Sequence, residues 1–87
     1  MEHAQQPSPE VQAVLDSLSP EERAALDAVW AFKAAPHYYY ESRARRLASE
    51  QTGVSEMRIA QIRGRLSGAV IAAQRRIKRE RQEQQGD

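Results

Sequence analysis

The stretch that decides the fold runs Leu47-Ala48-Ser49-Glu50-Gln51-Thr52-Gly53-Val54-Ser55-Glu56-Met57-Arg58-Ile59-Ala60-Gln61-Ile62. It reads as two helices joined by a sharp turn. A small residue, Ala48 or Ser49, suits a place where two helices cross closely. Gly53 supplies the positive φ that turns the chain. Val54 plugs the corner and Ser55 caps the next helix. Ile59 and Ile62 dock that helix onto the first, leaving Ser55, Met57, Arg58, Gln61 and Arg65 on a free face. Arg and Gln are the side chains that read guanine and adenine edges bidentately, so the pattern points to a helix-turn-helix with its second helix in the major groove.

Working outward, nearly every signal is helical. Ahead of the turn, Ser8-Pro9-Glu10 starts a short helix with Val11, Val14, Leu15 and Leu18 on one face. Ser19 and Glu22 are spaced as a capping box for a second helix. That helix carries Ala25, Leu26, Val29 and Trp30 inward and stops near Ala34, before Pro36. Pro36 to Tyr40 form a connector or the first turn of the third helix, whose inward side holds Tyr40, Ala44, Leu47 and Ala48. Three consecutive tyrosines cannot all face inward, so at least one is expected in solvent.

The last helix, from Glu56 to about Arg81, bears an apolar stripe of Ile59, Ile62, Leu66, Ala69, Val70, Ala73 and Ile77. Gly64 and Gly68 mark a close helix crossing, a dimer seam or a break near Ser67. The expectation is an all-α bundle of four helices, five if that break occurs, with a long basic C-terminal helix. Residues 8–82 form the domain, and 1–7 and 83–87 are disordered tails.

Composition narrows the function. The 87-residue chain has room for one domain, and with no cysteine it has no disulfide framework or thiolate metal site. His3 and His37 stand alone without carboxylates at ligand spacing, so neither metal nor cofactor is expected. Met1 to Gln6 lack the pattern of a secretion signal, and no apolar run approaches the roughly 20 residues of a membrane span. The expected setting is cytoplasmic. No nucleophile–base pair, phosphate loop or metal set supports an enzyme.

The charge is polarised: residues 1–37 carry two cations against six carboxylates, and residues 38–87 eleven against six. A basic back half suits a chain gripping a polyanion. Arg58, Gln61 and Arg65 are placed near bases of double-stranded DNA. Arg63, Arg75, Arg76, Lys78 and Arg79 are placed near phosphates.

Gly53-Val54-Ser55-Glu56-Met57-Arg58-Ile59-Ala60-Gln61-Ile62 resembles the "GVSESRISQI" stretch in region 4 of sigma-70-type sigma factors. Leu18-Ser19-Pro20-Glu21-Glu22-Arg23 is similar to the "LPERER" opening of that region, and Tyr39-Tyr40-Glu41 to its "YYE". The likeness spans about residues 18–80. It implies a compact helical domain whose last helix reads promoter DNA through Ser55, Arg58 and Gln61, and whose surface can touch RNA polymerase. The segment before Gly53 is longer here than in that family, with an extra residue between Ala48 and Gly53. A free-standing module of this kind fits an accessory regulator of phage or plasmid type rather than a complete sigma factor.

A different class remains open. In that reading the chain is a protein-binding adaptor or inhibitor acting on RNA polymerase or a defence complex. Its acidic front and exposed tyrosines form the interface, and the last helix pairs with its mate in a homodimer.

Overall fold

The computed structural model describes residues 7–85 and contains four helices with no strand among them. They are α1 (Pro9–Asp16), α2 (Pro20–Lys33), α3 (Glu41–Thr52) and α4 (Glu56–Gln85). Each start follows from local chemistry. The Ser8 hydroxyl accepts from the Val11 N–H at 3.2 Å, with Pro9 in the first turn. At α2 the capping box is complete: Glu22 N–H donates to Ser19 Oγ at 3.1 Å, and Ser19 N–H donates to Glu22 Oε1 at 3.0 Å. Ser55 Oγ accepts from Arg58 N–H at 3.0 Å at the start of α4.

Gly53 adopts φ +82° and donates its N–H to the Ser49 carbonyl at 2.8 Å, which ends α3. Thr52 Oγ1 then accepts from Val54 N–H at 3.3 Å and tightens the corner. Between α2 and α3, residues 34–40 form an irregular connector, with a cis Ala35–Pro36 bond and Tyr38 at φ +52°.

Two apolar clusters form the core. In the first, Ala25, Ala28 and Val29 of α2 meet Ala44 and Ala48 of α3 beneath Ile59 of α4. Alanines at the crossing let the helix backbones approach closely. In the second, Leu15 of α1 and Leu26 of α2 meet Ile62 and Leu66 of α4, edged by Val11, Val14 and Leu18. Helix α4 thus bridges both clusters.

Several expectations are corrected. Trp30 is not a core residue; it is 45% exposed, because Ala25, Leu26, Ala28 and Val29 occupy the inward arc of α2 and Trp30 falls on its flank. Tyr40 is exposed, as is Tyr38, while Tyr39 is half-buried. Val70 and Ile77 leave the buried stripe and are exposed. The reason is length: α3 has 12 residues and α4 has 30, so at about 1.5 Å per residue α4 outruns its neighbour by about 27 Å.

Helix α4 is also unbroken at Gly64 and Gly68, and continues through Gln85, past the expected boundary at 82. A Cβ at either glycine would meet nothing within 4 Å, so neither marks a close crossing within the chain. The expected tail over 1–7 lies outside the described residues apart from exposed Pro7, as do His3 and the last two residues of the C-terminal tail.

Candidate nucleic-acid interface

Three arginines of α4 each grip a glutamate in the first turn of a different helix. Arg58 Nε donates to Glu22 Oε2 of α2 at 2.7 Å. Arg63 holds Glu41 of α3 through two bonds, at 2.8 and 2.7 Å. Arg76 holds Glu10 of α1 at 2.6 and 3.2 Å. A carboxylate in a first turn is already favoured by the helix dipole, and the forked guanidinium adds orientation.

The carboxyl groups respond accordingly. Arg63 and Lys33, despite the opposing cost of partial burial, bring Glu41 down to about 2. The Arg76 fork lowers Glu10, and the Ser19 backbone N–H, together with Arg58, lowers Glu22. Arg76 is in turn raised, chiefly by Glu10. Glu41 additionally receives Lys33 at 2.6 Å and Arg45 at 3.2 Å. Arg58, Arg63 and Arg76, all expected at DNA, are therefore engaged in joining α4 to α2, α3 and α1.

The other expected residues face solvent. Ser55, Met57, Gln61 and Arg65 are exposed on the first turns of α4. Gln61 Oε1 accepts from Arg58 at 3.3 Å, and Arg65 donates to Ser17 Oγ at 3.0 Å. Arg75, Lys78 and Arg79 are exposed and have no carboxylate within ion-pair distance among the described residues. At 100° per residue, Arg75 and Arg79 continue the side of Met57 and Gln61, whereas Lys78 turns towards Val70 and Ile71.

Two further cations, Arg43 and Arg46 of α3, complete this surface. Both are exposed and unpaired among the described residues. With Tyr40, Ser42 and Glu56 they line a shallow concavity between the starts of α3 and α4. Arg43 lies 4.4 Å over the Tyr39 ring, which stacks on His37 at 5.1 Å. The sequence carries a signal for this pair: Arg43 and Arg46 stand on the side of α3 opposite Ala44 and Ala48.

Among the described residues no three metal-binding side chains converge, and no helix is long and apolar enough to cross a membrane. No family model, curated protein or solved structure matches the chain, so its function has to be read from its own geometry.

Proposed function

We propose that the chain is a DNA-binding regulator of transcription, with α3, the Gly53 turn and α4 acting as a helix-turn-helix. One observation carries the reading: the exposed polar start of α4 lies beside two cations of α3 that have no carboxylate partner among the described residues. In this arrangement Ser55, Met57, Gln61 and Arg65 face base edges, and Arg43 and Arg46 take phosphates. Arg75 and Arg79 extend the phosphate contacts along the same side of α4. Arg58, Arg63 and Arg76 act indirectly, by fixing the helices that present the surface. Such a regulator would work in the cytoplasm, and RNA polymerase is a second partner consistent with the role.

The test is titration of a labelled random-sequence duplex at several salt concentrations, following fluorescence anisotropy. Wild type should bind with affinity that falls steeply with salt. The Arg43→Ala/Arg46→Ala double variant should bind more weakly, with a log–log salt slope shallower by about two. Gln61→Ala should leave random-sequence binding intact and affect only a selected site. Absence of binding by wild type at low salt overturns the proposal.

A further inference from the structure

On the side of α4 turned away from Gln61 and Arg65 lies an apolar groove that none of the described residues fills. Trp30 of α2 and Val11 of α1 form its walls, and Ala60, Gly64, Ser67 and Val70 of α4 its floor. Ile77 prolongs the line of Val70 two turns further, and Ile71 flanks it. Trp30, Val70, Ile71 and Ile77 are each between 43% and 47% exposed. Large apolar side chains gathered on one face, rather than scattered, mark an interaction surface.

The ends of the groove are cationic. At one end Lys33, Arg45 and Arg63 surround a single carboxylate, Glu41. At the other, Lys78 and Arg81 are exposed and have no carboxylate partner among the described residues. From Arg63 to Lys78 the helix rises about 22 Å, the length of a helix of about 15 residues.

We propose that this groove binds an acidic amphipathic helix of a partner protein, with apolar anchors in its middle and carboxylates at both ends. Anchors repeating every two turns along one face of the partner helix match this line, since Val70 and Ile77 stand about 10.5 Å apart along α4 with Trp30 beyond Val70. The terminal carboxylates face the two cationic ends, and such complementarity supplies both register and selectivity. A second copy of this chain fits less well, because a two-fold pairing of the same faces brings Lys78 and Arg81 against Arg63 and Arg45. Duplex DNA also fits poorly, since the apolar middle offers nothing to a phosphate.

Trp30 is the sole tryptophan and reports occupancy directly. The experiment titrates the full chain with a synthetic amphipathic peptide bearing central leucines and terminal glutamates. The same peptide with lysines for glutamates, and a scrambled version, serve as comparisons. The glutamate peptide should shift Trp30 emission to the blue in a saturable manner and bind at least about tenfold tighter than the lysine peptide. Ile71→Glu and Arg81→Glu should each weaken it by about tenfold while retaining the wild-type melting temperature.

Equal binding of the lysine or scrambled peptide, or no binding of the glutamate peptide, overturns the proposal. So does an Ile71→Glu variant that binds normally. Concentration-dependent dimers of the protein alone, lost in Ile71→Glu, would assign the groove to a second copy and overturn it as well. Random-duplex affinity measured on Ile77→Glu, which should weaken the peptide likewise, keeps this proposal separate from the DNA reading, because Ile77 lies about 160° round α4 from Arg75 and Arg79.

Discussion

Between Ile59 and Leu66 the inward side chains of α4 are withdrawn from solvent, whereas Val70, Ile71 and Ile77 on the same helix keep nearly half of their surface exposed. The apolar pattern is similar in the two halves, but the neighbours differ. The first half lies across α2 and α3, and the second has only α1 along one flank. The cations divide in much the same way. Among the described residues Arg58 and Arg63 are held by carboxylates, while Arg75, Lys78, Arg79 and Arg81 are not; the exceptions are Arg76, which α1 reaches, and Arg65, which meets only the Ser17 hydroxyl. A helix can therefore be scaffold over one span and binding surface over the next without any change of secondary structure.

The sharpest way to break this contrast is to remove a side chain from the scaffold half. Ile62 is 1% exposed in the second core cluster. Ile62→Ala is expected to cost about 2–4 kcal/mol, from lost burial and the cavity left behind. In a domain of this size that lowers the melting temperature by roughly 8 °C or more. Urea and thermal unfolding followed by circular dichroism measure it.

The ion pairs of the scaffold half come next. The Glu41 carboxyl, ordinarily at 4.5, is brought to about 2 by Arg63 and Lys33. Because the folded value is the lower one, its stabilisation is fully present above about 4.5. It is lost as the pH falls from there towards 2. Glu41 is partly exposed, so the contribution after screening is about 1–2 kcal/mol. Glu41→Gln is expected to remove that amount at neutral pH and to flatten stability between pH 4.5 and 2. Glu10 and Glu22 act with the same sign and leave a residual acid sensitivity.

A smaller effect is expected at the corner that aims α4. Gly53 holds φ +82°, and a Cβ there would meet nothing within 4 Å. Gly53→Ala therefore costs only the conformational penalty, about 1–2 kcal/mol. Gly53→Asn should cost less, since asparagine tolerates the left-handed region. Chemical denaturation of the two variants side by side measures the difference.

What the sequence discloses is what depends on near neighbours. The Ser8 cap, the Ser19–Glu22 box, the Gly53 stop and the Ser55 cap all act within four residues, and all are legible before folding. So is the inward set of Ala44, Ala48, Ile59 and Ile62, because helical periodicity alone selects it. Periodicity does not state how far the covering helices extend, so it puts Val70 and Ile77 inside where the structure exposes them. It does not state how wide the covered arc of α2 is, which leaves Trp30 on the flank. Nor does it show which cations are occupied. The Arg63–Glu41, Arg58–Glu22 and Arg76–Glu10 contacts join residues 22, 36 and 66 positions apart. Arg43 and Arg46, by contrast, were within reach of helical geometry, since they stand opposite the buried alanines of their own helix.

The smallest expected effect is the one that most sharpens the contrast between the two halves. Ile77 is 43% exposed and belongs to neither core cluster. Ile77→Ala removes surface that water already reaches, and alanine is the better helix former, so stability should change by less than about 0.5 kcal/mol. Leu66→Ala, at a buried position about three turns earlier on the same helix, should cost about 2 kcal/mol or more. Denaturation of both variants at low protein concentration gives the comparison. If Ile77→Ala instead lost more than about 1.5 kcal/mol, and the loss grew with protein concentration, the second half of α4 would be packed against another copy. Its free cations would then face a subunit rather than a partner helix, and the division between scaffold and surface would have to be drawn further along the helix.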